Sequence, residues 1–193
     1  MSVNALRFIR LGVAIALVAS LAGCASGPRV GAMTAPLDPQ HIVQTASPLH
    51  AAVQVGDVTG GDKNNREWGS SVDNAAFKQS LEQSLALQAV IAPGNSAKYV
   101  ISANLIALDV PWAGFDATVT SKVHYQMTRL DDKSVALDKT VETPYTANFS
   151  DALLGVERAR IAKEGAVREN IKAFIAVLAE TFQGGASQVG ATH

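Results

Sequence analysis

GFDATVTSKVHYQMTRL, Gly114 to Leu130, holds a period of two through most of its length. Phe115, Ala117, Val119, Val123, Tyr125 and Met127 alternate with Asp116, Thr118, Thr120, Lys122, His124, Gln126 and Thr128. Successive side chains of a strand point to opposite faces, so the pattern predicts a strand with one dry and one wet face. Asp131-Asp132-Lys133 predicts a hairpin turn. The return strand repeats the alternation, with Val135, Leu137, Val141, Tyr145 and Phe149 inward and Asp138, Thr140, Glu142, Thr146 and Asn148 outward. Upstream, Tyr99, Ile101, Ala103, Leu105 and Ala107 predict a further strand, joined by a bend at Asp109–Gly114 through Pro111 and Gly114.

Helical spacing flanks this block. AAVQVGDV, Ala51–Val58, reads as a first strand and the polar stretch Thr59–Ser71 as a loop. Ser70 or Ser71 can cap a helix, with Asp73 near its positive end. Phe77, Leu81, Leu85 and Gln88 then recur at helical spacing until Ala92-Pro93-Gly94-Asn95. After Ser150-Asp151 a long helix is predicted over Val156 to Phe182. Val167, Ile171, Phe174, Leu178 and Phe182 share one face; Arg158, Lys163, Glu164, Arg168, Glu169 and Lys172 crowd the rest. Arg160–Glu164 and Glu164–Arg168 stand at i,i+4. Four strands with one apolar face need a cover, and two amphipathic helices need a floor. The expected fold is therefore α+β: a two-layer sandwich in the order β-α-β-β-β-α. Its four-stranded sheet is mostly antiparallel, with both helices on one face and the Thr-rich face open to water or a partner.

The N-terminus is organised differently. Arg7 and Arg10 supply a positive n-region, Leu11 to Ala22 an uncharged apolar h-region, and small residues lead to Cys24, the layout of a signal peptide over residues 1–23. As a helix, Leu11–Gly23 would extend roughly 20 Å against about 30 Å of hydrocarbon, short for a permanent span. Leu21-Ala22-Gly23-Cys24 resembles the lipobox of bacterial lipoproteins. The resemblance implies that the Cys24 thiol takes a diacylglyceryl group, that the peptide is cut before it, and that the new amine is acylated. Two lipid chains already make anchoring stable, and a third makes release negligible. In that family an Asp after the cysteine favours the inner membrane. Ala25 and Ser26 imply instead the outer membrane of a Gram-negative cell, facing the periplasm. Cys24 is the sole cysteine, so no disulfide competes for it.

Removal of residues 1–23 leaves 170 of the 193 residues, the size of one domain. Without Arg7 and Arg10 the 16 basic residues fall to 14 against 17 acidic, near −3. No basic stripe supports nucleic-acid binding. Residues 24–50 carry Pro28, Pro36, Pro39 and Pro48 among small residues and read as a lipidated cysteine on a flexible tether. Residues 51–183 form the expected domain, and 184–193 the composition of a frayed tail. The lipobox, tether and element order together are similar to lipopolysaccharide-assembly lipoproteins and to the auxiliary lipoproteins of ABC-type lipid transporters.

Catalytic patterns are absent. His41, His50, His124 and His193 are scattered, without an HxH, HExxH or Cys/His spacing that would hold a metal. Gly56–Asp62 lacks the GK[ST] ending of a phosphate loop. Asp131 and Asp132 suit a turn, and no GxSxG elbow presents a nucleophile. No cofactor is expected, and the chain is expected not to be an enzyme. Aromatics offer better prospects: Trp112 and Phe115 at a strand connection, and Trp68 in a polar loop, can anchor a partner or cap the core. Arg158, with Arg160 and Arg168, could meet lipid phosphates or an acidic partner, or simply face water.

The expected role is an outer-membrane-anchored, non-enzymatic assembly module in lipid or polysaccharide transport, docking an envelope protein through its open face or an edge strand. An oligomeric outer-membrane channel or secretion component, and an envelope-polymer hydrolase or transferase, are the alternatives. The partner's identity and the oligomeric state are not encoded in any motif.

Overall fold

A computed structural model of the protein describes residues 28–61, 72–109 and 116–183. The expected signal peptide, Cys24 and the tail over 184–193 lie outside the described residues. In chain order the elements are helix α1 (Val30–Met33), strand β1 (Val53–Thr59), helix α2 (Asn74–Leu87) and strands β2 (Tyr99–Asp109), β3 (Ala117–Arg129) and β4 (Val135–Ala147). A 3-10 turn (Phe149–Asp151) and helix α3 (Gly155–Gln183) follow. The sheet order is β1-β2-β3-β4. β1 runs parallel to β2, with α2 as the crossover, and β2–β3 and β3–β4 are antiparallel. The helices pack on one face, α2 against β1 and α3 against β3 and β4. The expected α+β sandwich is the observed fold, with α1 added.

The dry face follows the period-two pattern until the backbone interrupts it. Val119, Val123, Tyr125 and Met127 are fully buried, as are Ile101 and Leu105. A register shift between Leu105 and Ala107 then exchanges the faces, so Leu108 turns inward in place of the expected Ala107. On β4 only Leu137 among the expected inward residues is well buried. Val135 is 55% exposed, and Phe149 has left the strand for the 3-10 turn. At the hairpin, Lys133 takes φ 61° and Asp132 Oδ1 accepts from Ser134 N (2.9 Å). The cap of α2 is Asp73, whose carboxylate accepts from Ala76 N (2.7 Å); Ser70 and Ser71 lie outside the described residues.

Polar groups lock α3 to the sheet. Ser121, buried on the dry face, donates to Ala166 O (2.8 Å). Asn170 donates to Val141 O (2.9 Å) and Ser121 O (3.2 Å) and accepts from the Tyr125 hydroxyl (2.9 Å). Tyr125 stacks on Phe174 with ring centroids 3.8 Å apart, and burial pushes its phenol pKa up. Gly165 permits this approach, because a Cβ there would lie 2.6 Å from Tyr145 Cγ and closer still to the ring edge.

The segment expected to be a flexible tether is instead part of the fold from residue 28 onward. Met33 and Leu49 are fully buried, and Ala35 and Val43 nearly so. α1 packs against both α2 and α3. A proline-rich strap cannot form its own ladder, so the helices satisfy its backbone. Ala35 N donates to Ser84 Oγ (2.9 Å), Ser80 Oγ to Val30 O (3.2 Å) and Arg168 Nη1 to Ala32 O (3.2 Å). The Gln88 amide, with its nitrogen facing Asp38 O (3.2 Å), accepts from Asp38 N (2.9 Å).

This strap also changes the charged side of α3. Lys163 and Glu164, expected in water, are 3% and 2% exposed. Glu164 accepts from Arg29 N (2.8 Å) and from Arg29 Nη2 (2.7 Å), which holds the Arg29 pKa up. Arg160 stands 3.5 Å from the same carboxylate, the expected i,i+4 pair. The other expected pair gives way: Arg168 turns to Ala32 O and lies over the Tyr145 ring (5.2 Å). Burial lowers the Lys163 pKa.

Candidate interaction surface

The sheet face away from the helices carries a cross-strand polar ladder. Register pairs Thr118 with Thr146, Lys122 with Glu142 and Gln126 with Asp138 across β3 and β4. Their side chains meet accordingly: Thr118 Oγ1 and Thr146 Oγ1 at 2.9 Å, Lys122 Nζ and Glu142 Oε2 at 3.2 Å, Gln126 Nε2 and Asp138 Oδ2 at 3.1 Å. His124 Nε2 contacts Asp138 Oδ1 at 2.8 Å. The hydrogen bonds from His124 and then Gln126 hold the Asp138 carboxyl below the usual carboxylate range. Toward β1, Thr59 donates to Asn104 Oδ1 (3.2 Å). A hollow of about 140 Å³ lies among Asp57, Thr59, Ser102, Asn104, His124 and Gln126.

These pairs are exposed and mutually satisfied, so the ladder rigidifies a flat polar face. The hollow is well below the roughly 300–1,000 Å³ of ordinary small-molecule pockets. Two larger hollows sit elsewhere. One of about 340 Å³ lies between β1 and α2, near Val55 and Ile91; one of about 360 Å³ lies beside His41, Pro144 and Lys172. Pro144 stands on the outer strand β4, where the missing N–H weakens pairing with another chain. Among the described residues no group of three His, Cys, Asp or Glu is placed to hold a metal. Nor is any helix among them long and apolar enough to cross a membrane.

Of the residues nominated from sequence, Cys24, Trp68, Trp112 and Phe115 lie outside the described residues. Arg158 is described and engaged with its own chain. It donates to Ala152 O and to Leu153 O (3.1 Å), and its guanidinium lies 5.0 Å from the Phe149 ring centre. Sequence reasoning passed over what Arg158 supports: Leu153, Leu154 and Val156 are 80%, 68% and 62% exposed. The signal was available in SDALLGV, Ser150–Val156, where large apolar residues stand outside any periodic run.

No protein-family model and no curated protein sequence matches the chain. Its fold is similar to those of many solved structures. XCC0632 from Xanthomonas campestris, a DUF330 protein, is 13% identical over 80% of this chain and 96% of that one, with a TM-score of 0.59. The hypothetical protein CT253 from Chlamydia trachomatis is 8% identical over 67% and 96%, with a TM-score of 0.50. A neuraminyllactose-binding hemagglutinin homolog from Helicobacter pylori is 9% identical over 86% and 99%, with a TM-score of 0.50. At such low identities the likeness is one of fold alone, and a shared fold hosts many functions.

Proposed function

We propose that the protein is a lipid-anchored periplasmic accessory of the outer membrane, non-enzymatic, that docks an envelope protein in a lipid or polysaccharide transport or assembly complex. The h-region ending in Leu21-Ala22-Gly23-Cys24 supports the anchor. One structural observation carries the docking role: among the described residues the helix layer is covered by the strap while the outer sheet face is left uncovered. Four strands usually pack both faces or solvate one. Here the solvated face is ordered by cross-strand pairs rather than by loose charges, which suits recognition by a polar protein surface. Filling of the dry face by α2 and α3 argues against a membrane-embedded barrel, because those strands keep no apolar face for lipid.

The test is recovery of an envelope protein by the lipidated chain after mild detergent extraction, compared with Thr140→Lys combined with Thr146→Lys. Both positions are exposed on β4, so the fold persists while the face gains charge. The expected result is loss of a partner that the unaltered chain recovers in constant proportion. Equal recovery by both proteins rejects this face as the docking surface.

A further inference from the structure

The structure points to a second membrane contact, separate from the lipid anchor that it presupposes: we propose that Phe149, Leu153, Leu154 and Val156 rest in the bilayer surface beside acylated Cys24. The direction of the strap is the first argument. On α3, Arg29 meets Glu164, Ala32 meets Arg168, and His41 lies beside Glu169 and Lys172. On α2, Val30 meets Ser80, Ala35 meets Ser84 and Asp38 meets Gln88. Strap numbers thus rise with helix numbers, so Arg29 is at the end of the strap nearest the start of α3. Between Glu164 and Gly155 the helix rises about 13 Å at 1.5 Å per residue. The stretch from Cys24 to Arg29 reaches at most about 18 Å. The reach exceeds the rise, so the chain is long enough for Cys24 to stand over the start of α3.

The second argument is the patch itself. Four large apolar side chains between positions 149 and 156 are exposed by 46% to 80%, the densest such group among the described residues. Contiguous exposed apolar surface on a soluble domain marks an interaction site. The segment is also prepared for low dielectric. Arg158 donates to the carbonyls of Ala152 and Leu153 and covers the Phe149 ring, and Asp116 accepts from Phe149 N (2.8 Å). Satisfied carbonyls can approach headgroups at less cost than free ones. A patch of this size alone gives weak binding, but next to an acyl anchor it fixes orientation. With the start of α3 against the lipid, the sheet's long axis stands away from the membrane, and the hairpin at Asp131–Lys133 points into the periplasm.

The experiment uses the full lipidated chain in vesicles of phosphatidylethanolamine and phosphatidylglycerol. Leu154→Cys and, at the far end of the sheet, Asn95→Cys each receive an environment-sensitive fluorophore; acylation leaves Cys24 without a competing thiol. Expected is a blue-shifted label at position 154, quenched by nitroxide-bearing lipid and several-fold less accessible to iodide than the label at 95. Equal iodide access at both positions overturns the contact. Iodide protection without lipid quenching also overturns it, since a second copy would then cover the patch. Mass spectrometry of the same sample separates the premises. An unacylated Cys24 removes the anchor and this inference together, whereas an acylated Cys24 with position 154 in water removes the inference alone.

Discussion

Glu164 shows how far one side chain departs from what its helix position suggests. By spacing it belongs to a solvated face, yet it is buried and takes both the backbone N–H and the guanidinium of Arg29. The two partners are unequal: the Arg29 side chain is half-exposed and the Glu164 side chain almost sealed. Losing Arg29 leaves a buried carboxylate with Arg160 at 3.5 Å as its remaining ion pair among the described residues, whereas losing the Glu164 charge leaves a guanidinium that water can solvate. Arg29→Ala should therefore cost about 1–3 kcal/mol and Glu164→Gln about 1 kcal/mol. Urea midpoints of the two variants check this, and the reverse order would contradict the account. No sequence pattern could disclose the pair, because its members are separated by most of the chain and one lies in a segment without periodicity.

At the scale of elements, legibility tracked periodicity. β3 was readable because Val119, Val123, Tyr125 and Met127 alternate with polar residues, with a single polar Ser121 among them on the dry face. α3 was readable because Val167, Ile171, Phe174 and Leu178 repeat at helical spacing. The bulge after Leu105 was not, since both registers offered an apolar residue and the backbone chose Leu108. Least readable was the strap over residues 28–50, whose prolines and small residues suggest a linker. Its backbone is nevertheless held by Ser80, Ser84 and Gln88, small or amide residues that would be ordinary on an exposed helix. Truncating Met33 or Leu49 to Ala distinguishes the two descriptions. A packed strap loses about 2–5 kcal/mol on denaturant unfolding, while a free tether would change by no more than about 0.5 kcal/mol.

The described residues form a sheet with one doubly covered face and one open face, and the strap is bonded along the helices that cover it. The element order and the open face were legible beforehand; the candidate site was legible only as a face. Its aromatics Trp68, Trp112 and Phe115 lie outside the described residues, and Arg158 serves the loop it follows. What the packing adds is orientation, because a strap bonded to α2 and α3 transmits any pull on residue 24 to the domain. All of this depends on the chemistry of Cys24. The most direct measurement is mass spectrometry of the N-terminal peptide of the protein extracted from membranes. The account predicts a peptide that begins at Cys24 and carries thioether-linked diacylglycerol with an acylated amine; a free thiol at Cys24, or a mature start elsewhere, would contradict it.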